Sequence, residues 1–180
     1  RTKAGKEEFA MYLEKAKKTN KQILSEDDYD LLQSLKTGVY DDKESARLIH
    51  WGKSKGLIEM SHFAEYEGVQ MRIRPDIDIP EAEMLIDLKT IDVNTPKAFR
   101  YKMNALNWDL QAIMYCWVRD YYPSNFRFIV VEKKHPYSSQ VYGMDSETIE
   151  RGKEKFFTVF KEYKNYIDTG FITKYRGGIQ

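Results

Sequence analysis

The sequence predicts a single α/β domain in which a central mixed sheet is flanked by helices. Two observations predict this class. Helical patterns occupy about the first fifty residues, and the rest of the chain then follows the order three strands, helix, two strands, helix. The length of 180 residues and the apolar fraction of 42% are sufficient for one buried core. We find no internal repeat and no low-complexity linker, so a single domain spanning 1–180 is the simplest interpretation.

The N-terminal part, residues 1–56, is predicted to be a helical scaffold. Ser25 is placed to cap a helix whose first turn is acidic, and this helix is expected to stop near Gly38. A second short helix begins after Asp41 and ends at the glycines that follow. The sequence starts without an initiating Met and without the apolar core of a signal peptide, so we expect a piece truncated at its N-terminus.

Residues 57–180 are predicted to be the catalytic core, and they open with strands. From Leu57 the apolar period is two, which describes two antiparallel strands around a turn at Glu67-Gly68. Pro75 cannot donate to a strand ladder, so the second strand bends or ends there. A third strand follows over residues 84–89.

The second half of the core is predicted from longer patterns. Apolar residues at helical spacing from Leu106 to Tyr121 describe the main core helix. Two strands are expected at 126–131 and 140–144. Asp145 is placed to cap a final amphipathic helix that continues to about Ile167.

The charge distribution constrains the partners. The net charge is only +1, but residues 59–92 carry nine acidic and three basic side chains, whereas residues 93–180 carry nine acidic and 14 basic ones. An acidic stretch followed by a basic one suits a cation site beside a polyanion site. The single cysteine, Cys116, excludes a disulfide framework, a cysteine zinc site and a cysteine-ligated iron–sulfur cluster, and favours a reduced intracellular setting. No apolar run approaches the ~20 residues that cross a bilayer, so no membrane is expected as a partner.

Two carboxylates and a lysine form the candidate site. Strand periodicity puts Asp87 and Lys89 on one face, with Ile86 and Leu88 on the other, apolar side. Asp76 stands eleven residues before Asp87, at the bend after a proline. Converging carboxylates repel each other unless a proton or a hard cation such as Mg²⁺ or Mn²⁺ is present. A nearby lysine could then activate or orient water against a phosphodiester. An Asp-x-Lys pair on an exposed strand is also typical of a cross-strand ion pair, and the spacing alone leaves both interpretations open.

The order of the motifs adds a family resemblance. Pro75-Asp76 followed by Asp87-Leu-Lys89 matches the PD-(D/E)XK nuclease signature, and Gln111 and Tyr115, one helical turn apart, resemble the fourth motif of its RecB-like branch. Nearly the whole chain resembles the nuclease domain of the RecE (exonuclease VIII) family and its phage-borne relatives, through residues 1–6, 59–61, 74–76, 86–90 and 111–115.

The resemblance implies a restriction-endonuclease-like PD-(D/E)XK core and a Mg²⁺-dependent 5′-to-3′ exonuclease, with Mn²⁺ as a substitute metal. It implies that Asp76, Asp87 and the Leu88 carbonyl bind the metal, that Lys89 activates the attacking water, and that Gln111 helps to hold the site. Further implications are linear duplex ends as substrate, a single-strand annealing protein as partner in recombination, a ring-like homo-oligomer, and a bacterial or phage-encoded cytoplasmic enzyme. The family also has a motif upstream of Arg1, which this sequence does not include.

Supporting residues are less specific. Glu59 begins the strand pair that leads to Asp76 and is a candidate metal ligand, but a residue at the edge of a strand ladder explains it equally well. Asp109, two residues before Gln111, is given no role. Six residues are candidate DNA contacts, and most of them are equally compatible with local ion pairs or a solvated helix face. They are Arg72, Arg74, Lys97, Arg100, Lys102 and Tyr115.

Two alternatives to the exonuclease remain open at this point. The first is a structure-specific endonuclease of the same fold, which a fixed preference for duplex ends would exclude. The second is a nuclease-derived DNA-binding module that has lost catalysis. Retention of Asp76, Asp87, Lys89 and Gln111 argues against the second.

Overall fold

The computed structural model describes residues 3–21 and 23–171, so Arg1 and Thr2 of the family-like N-terminal stretch lie outside the described residues. The helices of this part are α1 (Lys3–Lys18), α2 (Glu26–Asp41), α3 (Lys43–Lys55), α4 (Pro96–Ala105), α5 (Trp108–Arg119) and α6 (Ser146–Thr169). The strands are β1 (Leu57–Ile58), β2 (His62–Tyr66), β3 (Val69–Ile73), β4 (Ile77–Ile79), β5 (Met84–Ile91), β6 (Arg127–Glu132) and β7 (Ser139–Tyr142).

Five strands form one mixed sheet in the order β1-β4-β5-β6-β7. β5 and β6 run parallel, and the other neighbours in the sheet are antiparallel. A parallel pair needs a long crossover connection, and α4 with α5 supplies it between β5 and β6. The predicted central mixed sheet flanked by helices is therefore confirmed.

The sheet separates two cores. On one side, Ile79 and Ile86 are fully buried with Leu48 of α3. On the other, Leu85 and Phe128 are fully buried among residues of α4, α5 and α6. Because successive side chains of a strand point to opposite faces, β5 contributes side chains to both cores. Asp87, two residues after Leu85, consequently lies on the face that α5 covers.

The predicted hairpin is confirmed as β2–β3, with its turn at Glu67 and Gly68. Both turn residues have positive φ, 49° and 78°, which a two-residue hairpin turn of this kind requires and which glycine adopts without strain. The hairpin forms a separate sheet and packs on α5, where the rings of Tyr66 and Trp117 meet edge to face at 4.8 Å. Leu57 and Ile58 do not belong to the hairpin as predicted, since they pair with β4 in the central sheet.

Two predicted boundaries are wrong. α2 continues through Gly38 to Asp41, because Gly38 marks a close approach: the carbonyl oxygen of Tyr137 occupies the space that a Cβ would need. The main core helix does not reach from Leu106 to Tyr121. Leu106 follows α4 and is exposed, and Asn107 adopts a positive φ of 54°, which separates α4 from α5.

The predicted caps are confirmed. The Ser25 hydroxyl accepts the Asp28 N–H at 3.1 Å, and Asp145 accepts the Thr148 N–H at 2.8 Å, so α2 and α6 begin where the sequence places them. Cys116 is buried in the core of the α5 side, as expected for a small apolar residue. Among the helices of the described residues, none has the length and apolar character to cross a bilayer.

Candidate active site

Asp76 lies at the bend between β3 and β4, directly after Pro75, and its side chain reaches β5. Asp76 Oδ2 accepts a hydrogen bond of 2.6 Å from the backbone N–H of Leu88. The antiparallel register of β4 and β5, continued by one step, brings Asp76 opposite Asp87. The predicted bend thus puts Asp76, just before β4, opposite Asp87 of β5.

Asp87 is buried on the α5 side of β5, with only 4% of its surface exposed. Its Oδ2 lies 2.7 Å from Lys89 Nζ, and Gln111 Nε2 approaches its Oδ1 at 3.4 Å. Burial raises the pKa of the Asp87 carboxyl, and the charge of Asp76 raises it further, whereas Lys89 opposes the rise. A cation placed between the two carboxylates would relieve the cost of ionising Asp87.

Lys89 is held by three neighbours. Besides Asp87, its ammonium donates to Gln111 Oε1 at 2.9 Å and lies 5.3 Å from the centre of the Trp108 ring. An ammonium over an indole face is attracted by the ring quadrupole. The predicted pair on one face of β5 is therefore part of a larger polar group that α5 completes.

Gln111 and Tyr115 connect α5 to β5 and to the bend that carries Asp76. Gln111 Nε2 also donates to Tyr115 OH at 3.1 Å, and Tyr115 OH in turn lies 3.5 Å from the Arg74 carbonyl oxygen, next to the bend that carries Asp76. Residues four apart on a helix share one face, so Gln111 and Tyr115 reach the same line of backbone. The Tyr115 ring itself packs against the apolar core.

The donor set fits a divalent cation in its chemistry. Asp87 Oδ2 is buried and has no hydrogen bond of acceptable geometry among the described residues, although the Lys89 ammonium is near. Oxygen donors of this kind suit a hard cation. Within residues 3–21 and 23–171, no group of three or more His, Cys, Asp or Glu side chains converges, so the site offers two protein carboxylates, Asp76 and Asp87. Leu88 borders the site through its peptide, and its carbonyl ligand stays a prediction.

Glu59 does not join Asp76 and Asp87 in a group of three converging carboxylates in the described part of the chain. It follows β1 with a positive φ of 47°, and its backbone N–H donates to the Asp76 carbonyl oxygen at 3.0 Å. Its exposed carboxylate forms an ion pair with Arg74. Glu59 and Arg74 therefore brace the bend from outside, and Arg72 is exposed on β3.

The three basic candidates after β5 lie on α4. Lys102 is 3.8 Å from Asp92, and Arg100 is 3.8 Å from Asp145 at the start of α6. Exposed pairs at this distance contribute little to stability, so these cations stay available to a ligand. The structure brings Arg100 and Lys97 together along a groove between α4 and α6, whereas Lys102 does not line this groove.

A buried ionic cluster that the sequence does not predict lies two residues beyond Asp76. Asp78 of β4 is fully buried and binds Arg119 Nε at 2.7 Å and Tyr121 OH at 3.3 Å. His62 Nε2 is 3.1 Å from the same carboxylate. Burial, with the charge of Arg119, lowers the pKa of His62 more than Asp78 raises it. Arg119 is four residues after Tyr115 and therefore lies on the same face of α5, the face that contacts the bend before β4. This helical spacing is the one sequence signal for the contact between Arg119 and Asp78.

Asp109, which received no role from the sequence, is fully buried at the start of α5. Arg151 Nε lies 2.8 Å and Lys155 Nζ 3.0 Å from its Oδ2, and its other oxygen accepts the Leu110 N–H at 2.9 Å. Burial raises the pKa of Asp109, but these hydrogen bonds outweigh burial and lower the pKa overall. Asp109 therefore anchors α6 to the first turn of α5, beside Trp108.

Comparisons with known proteins show the family and the fold. Residues 2–180 match the family described as "PDDEXK-like domain of unknown function (DUF3799)". A solved chain from Eubacterium rectale, provisionally named an exonuclease, is similar with a TM-score of 0.60 and 13% identity, covering 89% of this chain and 63% of that one. A phage related exonuclease from Haemophilus somnus 129PT gives a TM-score of 0.44 and 16% identity, over 75% of this chain and 73% of that one. No curated protein sequence matches. The chain covers 63% of the E. rectale chain, which is less than two thirds of its length. At 13% identity, the similarity to that chain shows only a shared fold.

Proposed function

Because the chain belongs to the PDDEXK-like family DUF3799, we propose that it hydrolyses phosphodiester bonds of DNA with Mg²⁺, as an exonuclease acting on linear duplex ends. The observation that carries this proposal is the connected group of Asp76, Asp87, Lys89 and Gln111. It joins two carboxylates, an ammonium and an amide on two strands and one helix, in the motif order of PD-(D/E)XK nucleases. These nucleases generally use divalent metals.

The residues divide the work as follows. Asp76 and Asp87 would hold the cation, which when bound supplies Lewis-acid polarisation of the phosphate and a more acidic water. Lys89 places a positive charge beside the reacting phosphate, where negative charge develops during attack by water. Because Lys89 is already held by Gln111 and Trp108, little reorientation is needed at that moment.

Gln111 is a positioning residue in this scheme. Its amide touches Asp87 with one end and Lys89 with the other, which fixes the distance between the carboxylate and the ammonium. Its third contact, to Tyr115, ties this arrangement to the backbone beside Asp76. α5 therefore connects β5 to the bend that carries Asp76.

The preference for duplex ends and the 5′-to-3′ direction rest on the RecE-like resemblance, and the name of the E. rectale chain favours exonuclease over endonuclease action. The recombination role, the single-strand annealing partner and the ring-like oligomer belong to the same proposal and are inherited from the resemblance alone. Mn²⁺ is expected to replace Mg²⁺ because both accept oxygen ligands.

The test compares linear and covalently closed duplex DNA as substrates of the protein, each with Mg²⁺ or EDTA. Labels at the 5′ or 3′ end report the direction. We expect release of 5′-terminal nucleotides from linear DNA with Mg²⁺, intact closed circles, and loss of activity in Asp87→Asn. Asp41→Asn, which removes an exposed carboxylate at the end of α2, is the control and should match the wild type.

Each other result has a definite meaning. Cleavage of closed circles would assign the protein to the endonucleases of this fold. DNA binding without hydrolysis under any metal would favour a non-catalytic module. Activity that survives both EDTA and Asp87→Asn would refute the proposed site.

A further inference from the structure

A groove of about 500 Å³ lies between α4 and α6, on the α5 side of the sheet and outside the group of Asp87 and Lys89. Two distant segments of the chain form it, since α6 follows α4 only after two strands. Its lining consists of Pro96, Lys97, Arg100, Tyr101, Asn104 and Arg151. Three of these six side chains are cations, and none is a carboxylate.

Two carboxylates that contact groove residues already have partners. Asp109 is fully buried and neutralised by Arg151 and Lys155. Asp145 caps α6 through the Thr148 N–H. The groove therefore presents positive charge from Lys97 and Arg100 at an exposed surface, where Arg100 has the exposed Asp145 carboxylate, 3.8 Å away, as its counter-charge.

Arg151 gives the groove an oriented donor. Its Nε is fixed by Asp109 at 2.8 Å, which sets the plane of the guanidinium. Its Nη2 is buried but has no hydrogen-bond partner among the described residues. Arg151 therefore contributes a fixed positive charge at the wall of the groove.

The groove is linked to the candidate active site through one turn of helix. The Lys89 ammonium lies over the Trp108 ring, and the next residue, Asp109, accepts a hydrogen bond from Arg151. α4 also continues the chain directly from β5, which carries Asp87. The start of α5 therefore contacts both the candidate active site and the wall of the groove.

From these observations we propose that the α4–α6 groove binds backbone phosphates of the DNA strand whose phosphodiester is held at Asp87. The inference rests on the proposed nuclease function and adds a second contact point to it. Guanidinium groups match phosphate oxygens in a bidentate manner, and Lys97 adds a point charge. Tyr101, of which 72% is exposed at the rim, offers a flat surface to a sugar or base.

The test measures binding without hydrolysis. Anisotropy of a labelled duplex with a short single-stranded end is recorded in EDTA over a range of salt concentrations. The groove variant is Lys97→Ala/Arg100→Ala, which leaves Arg151 and its structural bond to Asp109 intact. The control is Lys43→Ala/Arg47→Ala, which removes one lysine and one arginine from the exposed face of α3, on the opposite side of the sheet.

The groove variant should bind DNA about tenfold more weakly at low salt than the wild type. The magnitude of its slope of log K against log salt should be smaller by about 1–2, roughly one released counterion for each lost contact. The control should change affinity by no more than about twofold. Equal losses in the two variants would overturn the proposal, because net charge alone would then explain binding. Wild-type affinity and slope in the groove variant would overturn it as well.

Hydrolysis by the wild-type protein is measured separately, so the two claims fail independently. If the wild type does not cut DNA but only the groove variant loses binding, the nuclease proposal fails and the groove stands. If the wild type cuts DNA and both variants bind equally well, the groove proposal fails and the nuclease stands.

Discussion

Replacing Arg119 with Met should destabilise the protein more than any substitution on its exposed surface. Met keeps an unbranched apolar stem in place of the arginine methylenes but removes the charge that lies 2.7 Å from Asp78 Oδ2. Asp78 is fully buried, so its carboxylate would keep only the hydrogen bond from Tyr121, with a neutral His62 nearby at 3.1 Å. Removing one member of a buried ion pair costs about 3–5 kcal/mol.

The expected cost here is lower because Arg119 is itself 24% exposed and the hydrogen bond from Tyr121 to Asp78 remains. We therefore expect a loss of about 2–3 kcal/mol in the free energy of unfolding at pH 7.5. For a domain of this size, each kcal/mol lowers Tm by about 2–4 °C, so the fall in Tm should be about 4–12 °C. Urea unfolding followed by circular dichroism measures the first quantity, and a thermal melt measures the second.

The double variant Asp78→Asn/Arg119→Met provides the control. It removes the buried charge together with its partner, so it should recover most of the loss. The deficit of Arg119→Met should also shrink between pH 7.5 and 5.5, because the charge that lowers the pKa of His62 has gone and a protonated His62 can compensate Asp78. A change below about 0.5 kcal/mol in Arg119→Met, or additive losses in the double variant, would refute this explanation.

Three further predictions concern the site and its anchors. Asp87→Asn should raise Tm at pH 7 while abolishing hydrolysis, because burial raises the pKa of Asp87 and folding therefore disfavours its charge; a melt with a parallel rate measurement tests both. Asp109→Asn should cost about 2–3 kcal/mol at pH 7, since it leaves Arg151 and Lys155 without a counter-charge. Because folding lowers the pKa of Asp109, its carboxylate stabilises the folded protein fully above about pH 3.9, and this stabilisation disappears as the pH falls through the folded pKa. Urea titrations should therefore show a smaller difference in the free energy of unfolding between Asp109→Asn and the wild type at pH 3 than at pH 7. Gln111→Leu should slow hydrolysis by about 10²-fold with an unchanged melt, because Asp87 and Lys89 lose their common support.

The candidate site could be predicted because its signals are local. Period-two alternation puts Asp87 and Lys89 on one face of β5, a proline marks the bend at Asp76, and helical spacing aligns Gln111 with Tyr115. The family resemblance then relates these three local patterns to each other. The structure places all of them in one connected group.

What the sequence does not predict depends on contacts between distant residues. β4 has only three residues with a buried Asp78 in the middle, and that aspartate is tolerated because Arg119, 41 residues later, neutralises it. Gly38 suggests from the sequence that α2 ends there. In the structure α2 continues, and position 38 is a glycine because the carbonyl oxygen of Tyr137 occupies the space that a Cβ would need. Asp109 likewise gains its role only from Arg151, 42 residues away.

The central claim is that Asp87 holds a metal and Lys89 acts on the phosphate, and the most direct test separates these two roles. Mn²⁺ binding, followed by electron paramagnetic resonance, and hydrolysis of linear duplex DNA are measured on the same samples of wild type, Asp87→Asn and Lys89→Met. Asp87→Asn should lose both Mn²⁺ binding and hydrolysis. Lys89→Met should retain Mn²⁺ and hydrolyse DNA about 10²–10³-fold more slowly. Wild-type rates in Lys89→Met, or undiminished Mn²⁺ binding and hydrolysis in Asp87→Asn, would contradict the account.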